Sequence, residues 1–225
     1  RIKLLAHITM CNVWNSIKGD WLRLKKEWRE RIDASGEAAG VANPAFATRE
    51  GCWQGENGMA NVVTKDPTKA GKENGHSHNG NASVLDPVAC EVIARMFMPI
   101  NGKRIYNPFG GGVQMGYIAG ACGFVYVASE IRQNQADANN KICAEFPVVQ
   151  WIQSDSTTFD PPGMFDLVFS CPPYADLEVY SDDPRDLSAV PYEEFLYAYR
   201  FIIAAVVRLL RADRFACFVV GDVRD

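Results

Sequence analysis

From residue 83 onward, the apolar positions of this 225-residue chain switch repeatedly between two periods. Short apolar runs at Arg104–Asn107, Phe124–Ser129, Val148–Gln153, Asp166–Phe169 and Phe215–Val220 are continuous enough for strands covered on both faces. Around them, apolar residues recur at helical spacing and predict helices over Asp86–Met98, Gln114–Cys122, Gln133–Phe146 and Tyr192–Leu210. The first helix is the best marked. Asp86-Pro87 supplies a side-chain cap and a proline in the first turn, Val88, Val92, Ile93, Met96 and Phe97 follow on one face, and Pro99 stops the element. Strands alternating with helices of about 10 to 20 residues make βαβ units, hence an α/β fold with a mostly parallel sheet and helices on both faces.

Upstream the pattern differs. A short strand is expected over Leu4–Met10 and a helix from about Ser16 to Ile32, with Trp14, Trp21 and Trp28 recurring every seven residues beside Leu22 and Leu24. The Trp face could pack as an ordinary amphipathic helix, or serve as a basic, aromatic surface tracking a nucleic-acid backbone. Residues 34–82 are rich in Gly, Asn, Ala and Lys and show no sustained period. An irregular stretch of that length is either functional, as in target recognition, or mobile, and Cys52-Trp53 is its one anchor. The chain thus divides into a basic segment 1–33, an irregular segment 34–82 and a main domain 83–225.

Composition narrows the class. The hydrophobic fraction of 48% and charged fraction of 22% are those of a globular protein. No run reaches the roughly 20 apolar residues of a membrane span, and the apolar start Ile2 to Ala6 is too short for a secretory signal. The 7 cysteines form no C-x-x-C pair and most sit in apolar runs, so reduced core thiols of a cytoplasmic protein are expected, with no metal site. The net charge of −4 is unevenly spread. Residues 1–32 carry eight basic side chains against three acidic ones, while residues 151–225 carry thirteen acidic against six basic. A basic arm on an acidic body suits phosphate contacts and suits internal charge pairing equally well.

The candidate chemistry lies at strand ends, where open α/β sheets bind their ligands. Asn107-Pro108-Phe109-Gly110-Gly111-Gly112 follows the first strand and opens a helix, so the backbone can pass close to a ligand beside free N–H groups. Glu130, followed by Ile131, ends the second strand, where a carboxylate can accept both hydroxyls of a ribose. Asp155, followed by Ser156, ends the third, where it can take the exocyclic amine of an adenine. The fourth ends in Ser170-Cys171-Pro172-Pro173-Tyr174. Its two prolines force the chain out of the sheet as a stiff loop, and the ring that follows suits a flat, unstacked base. Each piece alone reads as a turn or a cap. Their order on consecutive strands is the signal.

That order resembles the S-adenosylmethionine-dependent amino-methyltransferases of DNA. Asn-Pro-Phe-Gly-Gly-Gly is similar to their Asp-Pro-Phe-x-Gly-x-Gly cofactor loop, and Cys-Pro-Pro-Tyr to their Asp/Asn/Ser-Pro-Pro-Tyr catalytic loop. The run from Phe165 to Asp186 looks most like DNA methylases encoded in phage and prophage genomes, and the resemblance covers about residues 83–225. It implies a Rossmann-like class I methyltransferase fold with sheet order 3-2-1-4-5. It also implies that Asn107 and Phe109 to Gly112 hold the methionine part of S-adenosylmethionine, that Glu130 with Ile131 holds the ribose, and that Asp155 with Ser156 holds the adenine. The helix over Asp86–Met98 would pack over the methionine end. Tyr174 would stack on a base flipped out of DNA, while Pro172 and Pro173 fix the loop.

In that family the residue before the prolines accepts a hydrogen bond from the target amine, leaving the nitrogen lone pair free for direct methyl transfer. Here Cys171 occupies that position, a weak acceptor, so Ser170 or a backbone carbonyl is an alternative, and a nucleophilic Cys171 is another. Val113 stands where a further glycine is usual. The spelling leans to N4-cytosine, with N6-adenine close behind. An RNA base, a protein amide or an inactive DNA-binding module stay open. Such sheets continue past the fifth strand with a helix and a reversed hairpin, which this sequence lacks. A second chain, a homo-oligomer or further residues are therefore expected to complete the sheet edge.

Overall fold

The computed structural model describes residues 10–38, 85–173 and 183–220, with the backbone alone described over 10–18. Five strands form one parallel sheet: β1 (Arg104–Asn107), β2 (Val125–Glu130), β3 (Val149–Gln153), β4 (Phe165–Ser170) and β5 (Leu210–Phe218). Their order is β3-β2-β1-β4-β5, the expected 3-2-1-4-5 arrangement of a Rossmann-like class I methyltransferase fold. The helices are α1 (Met10–Ala38), α2 (Pro87–Phe97), α3 (Gln114–Ala121), α4 (Gln133–Ile142) and α5 (Tyr192–Leu209).

Both faces of the sheet are covered, which is why the strands read as continuous apolar runs. Along β4, Leu167 and Phe169 join the core under α1 to α4, while Val168 between them joins the core under α5 with Tyr106, Ile202 and Val206. Side chains of successive residues leave a strand on opposite faces, so a period of two sorts them into two cores. On one of those faces α3 lies against β3 closely enough that a Cβ on Gly116 would clash with the Trp151 ring.

The tryptophan helix belongs to this body. Trp21, Trp28 and Ile32 are buried in the larger core, and both indole N–H groups donate across to α2 and its cap: Trp21 to Asp86 at 3.3 Å, Trp28 to Glu91 at 2.7 Å. Asp86 does double duty. One carboxylate oxygen caps α2 by accepting from the Val88 and Ala89 N–H groups, and the other pairs with the Lys25 ammonium at 2.6 Å. Trp21 and Trp28 are thus buried rather than available to a nucleic acid, and the Trp14 side chain lies outside the described residues. The basic residues Arg23 and Lys26 of α1 instead pair with Glu27 and Glu30 one turn on.

Several boundaries differ from expectation. Met10, expected to close a strand, opens α1, which runs on to Ala38; the rest of that strand and all of 39–84 fall outside the described residues. Helix α4 ends at Ile142 instead of Phe146, whose ring packs edge-on against Tyr117 at 5.1 Å. Strand β5 begins at Leu210, directly after α5, five residues before the apolar run starts. Its first half is charged because it surrounds the buried Asp166 carboxylate, and Asp213 takes a positive φ of 56° where the register shifts. Among the described residues no helix is long and apolar enough to cross a membrane.

Candidate active site

Asn107 sets the geometry at the carboxyl end of β1. It is 1% exposed, and its side-chain oxygen accepts from the Phe109 N–H at 3.0 Å and the Ser170 hydroxyl at 2.5 Å. Its amide donates to the Tyr126 hydroxyl at 2.8 Å. One buried amide therefore ties the end of β1 to the end of β4 and to Tyr126 near the start of β2, and it starts the loop as an Asx turn. Two glycines then bring the loop against the sheet. The Gly110 N–H donates to the Ser129 carbonyl at 2.6 Å, and a Cβ there would stand 2.7 Å from that oxygen and 2.9 Å from the Trp151 ring. Gly111 follows at φ +52°, a left-handed conformation that costs other residues energy.

That turn points the Gly111 N–H at Glu130, whose Oε2 accepts it at 2.8 Å. The other oxygen, Oε1, accepts from the Arg132 backbone at 3.0 Å and the Arg132 guanidinium at 3.3 Å. Burial pushes the Glu130 carboxyl above its ordinary range, and the Arg132 charge and these N–H donors oppose the rise. At the end of β3, Asp155 uses Oδ1 to accept from the Thr157 N–H at 2.8 Å and hydroxyl at 2.7 Å. Its Oδ2 makes no hydrogen bond among the described residues. Ser156 donates its hydroxyl to the Pro108 carbonyl, tying this loop to the glycine loop.

A single cleft runs across these strand ends. Asn107, Phe109, Gly110, Gly111, Gly112, Glu130, Ile131, Asp155 and Ser156 all line it, and so do Cys171, Pro172 and Pro173 from the end of β4. Leu85 closes it on the α2 side, and Arg185, Asp186 and Leu187 on the side facing α5. Ser170 departs from expectation. It is fully buried, its hydroxyl is spent on Asn107, and its carbonyl accepts from the Val219 N–H at 2.9 Å. It therefore positions the loop and offers no acceptor to the cleft. Tyr174 lies outside the described residues.

Sequence reasoning missed Arg132, Gln135 and Asn139. On α4 the two amides sit four residues apart on the inner face, wholly buried, where Gln135 donates to Asn139 at 2.9 Å and Asn139 to the Gly111 carbonyl at 2.8 Å. The i, i+4 spacing of two amides right after an acidic strand end was the available signal.

No protein-family model matches the sequence, and no curated protein matches it. Among solved structures it is similar to TrmN from Thermus thermophilus, 14% identical with a TM-score of 0.46 over 60% of this chain and 38% of that one. It is also similar to a coclaurine N-methyltransferase bound to N-methylheliamine and SAH, 10% identical with a TM-score of 0.46 over 94% of this chain and 58% of that one. A third is the glycopeptide N-methyltransferase MtfA complexed with S-adenosyl-L-methionine, 15% identical with a TM-score of 0.43 over 59% of this chain and 48% of that one. The chain thus spans from 38% to 58% of the length of these three proteins. Likeness of that degree leaves the architecture resting on the strand order and the site on its own residues.

Proposed function

We propose that this chain binds S-adenosylmethionine in the cleft and transfers its methyl group to the exocyclic amine of a DNA base, cytosine N4 or adenine N6. One observation carries the proposal: the glycine loop, Glu130, Asp155 and the Cys-Pro-Pro loop converge on a single cleft at the carboxyl ends of consecutive strands. The residues fit an adenosine-type ligand. A buried carboxylate with an acceptor site left on Oε2 suits a ribose hydroxyl, and Asp155 Oδ2 suits an adenine amine.

When bound, the cofactor supplies a methyl group on a positively charged sulfur, a good electrophile. The chain's own work is then to orient and to exclude water. Pro172 and Pro173 leave the loop little freedom, and Asn107 and Ser170 fasten its root. With both polar groups of Ser170 engaged, the acceptor for the target amine falls to Cys171, through its sulfur or its carbonyl. The amine proton leaves to solvent, and no covalent bond to the protein is needed. Tyr174 follows the prolines and is assigned to the face of the unstacked base.

Titration of S-adenosylhomocysteine by calorimetry tests the proposal. Glu130→Ala removes a charged acceptor worth about 1.5–3 kcal/mol, so affinity should fall roughly tenfold or more. Unchanged affinity in that variant would remove the ribose assignment, and no binding to the parent protein would favour an inert module of the same fold.

A further inference from the structure

A closed circuit of hydrogen bonds runs beneath the glycine loop. The Arg132 guanidinium donates through Nε to Glu130 Oε1 at 3.3 Å and through Nη2 to Gln135 Oε1 at 3.1 Å. Gln135 donates to Asn139, Asn139 to the Gly111 carbonyl, and the Gly111 N–H returns to Glu130 Oε2. Gln135 and Asn139 are fully buried, and the Arg132 side chain is 14% exposed, with its residue in the wall of the cleft. A fork is required at the start of this circuit, because one side chain must serve a carboxylate and an amide at once. Arginine provides that fork with a permanent charge, and lysine provides the charge alone.

We propose that Arg132 is a positioning residue which keeps the buried Glu130 ionised and, through Gln135 and Asn139, fixes the turn at Gly111, so that nucleoside binding is insensitive to pH near neutrality. This rests on the adenosine reading of the cleft. The groups around Glu130 leave few rivals for the task. The glycine loop presents the neutral Gly111 N–H, α4 presents neutral amides, β2 contributes the Tyr126 hydroxyl, and β3 ends in another acid, Asp155. Among the described residues Arg132 is the one cation paired with Glu130.

Removing that charge has opposite consequences for stability and for binding. An opposite charge within hydrogen-bonding reach lowers a carboxyl pKa by about one to three units. Without it, burial acts with less opposition and Glu130 keeps its proton to higher pH than in the parent. A carboxyl raised in the folded state makes the protein more stable as pH falls. Nucleoside affinity, which needs the ionised acceptor, falls over the same interval. A merely structural arginine would lower both quantities without tilting either.

The test uses the full chain with S-adenosylhomocysteine as probe, titrated between pH 6 and 8, together with the carboxyl-carbon NMR titration of Glu130 in the ligand-free protein. Affinity of the parent should change less than about threefold across this range, whereas Arg132→Gln should lose about tenfold for each unit below its raised pKa. Arg132→Lys should restore the flat profile. A flat affinity profile together with an unmoved Glu130 titration in Arg132→Gln would overturn the inference. So would a Glu130 titration displaced upward from the parent's in Arg132→Lys, the variant that serves if Arg132→Gln does not fold. If the parent binds no nucleoside but Glu130 titrates higher in Arg132→Gln, the cofactor assignment fails while the role of Arg132 toward the carboxylate stands.

Discussion

Adding one methyl group at Gly110 should disable the cleft and weaken the fold together. The Cβ of Gly110→Ala would sit 2.7 Å from the Ser129 carbonyl oxygen, 2.9 Å from Trp151 Cδ1 and 3.2 Å from Glu130 Cβ. The first of these is backbone inside the sheet, and the Trp151 ring is 2% exposed, so neither can swing aside. The loop must lift instead. Overpacking of this kind costs about 1–3 kcal/mol. Lifting also breaks the Gly110 N–H bond to Ser129 and the Gly111 N–H bond to the buried Glu130 carboxylate, the second worth about 1.5–3 kcal/mol because its acceptor is charged. A loss of roughly 3–5 kcal/mol in urea unfolding is expected, at an unchanged m value, with S-adenosylhomocysteine binding reduced at least a hundredfold. Gly19→Ala is the control. It lies inside α1 with nothing within 4 Å of its Cβ, so alanine there should add about 0.5–1 kcal/mol of stability. A Gly110→Ala protein within about 0.5 kcal/mol of the parent and with parental affinity would refute the argument that this loop is held by close backbone contact.

Two further outcomes are expected. Asp166 accepts from the Lys103 and Arg104 N–H groups and pairs with Arg211; burial would raise its carboxyl, but these donors hold it below the ordinary aspartate range. A lowered carboxyl contributes stability above its unfolded pKa and loses it as pH falls through the folded value. Asp166→Asn should therefore cost about 1.5–3 kcal/mol near pH 7, and denaturation followed downward in pH should show that difference shrinking once the pH drops below the ordinary aspartate range; a difference that stays the same at every pH would contradict the clamp. Cys171→Ser replaces a weak acceptor with a better one, so methyl transfer to DNA should persist or rise in a single-turnover assay. Complete loss, with S-adenosylhomocysteine binding intact, would instead make the thiol a nucleophile.

Most of the sheet was legible because a strand buried on both faces has nothing polar to disguise it: Tyr106, Tyr126, Leu167 and Phe169 have no solvent side to spend on charge. The start of β5 was hidden for the opposite reason. Arg211 and Arg214 stand where apolar residues would mark a strand, because they answer a carboxylate on β4, forty-five residues away in sequence for Arg211. The site followed the same rule. Glycines, Glu130 and Asp155 announce themselves by type and place, since a strand end is where such residues can meet a ligand. Gln135 and Asn139 offered only the i, i+4 spacing of two amides as a signal, and the fold shows that this face lies under the glycine loop. Trp21 and Trp28 left their partners open, since Asp86 and Glu91 lie more than sixty residues on.

The most direct test of the proposed reaction is to incubate DNA with the protein and methyl-labelled S-adenosylmethionine, digest the DNA, and identify the labelled nucleoside. The expected result is label in N4-methylcytosine or N6-methyladenine, abolished in Glu130→Ala. No labelled nucleoside from DNA, from a protein that binds S-adenosylhomocysteine and labels RNA or polypeptide in parallel reactions, would contradict it.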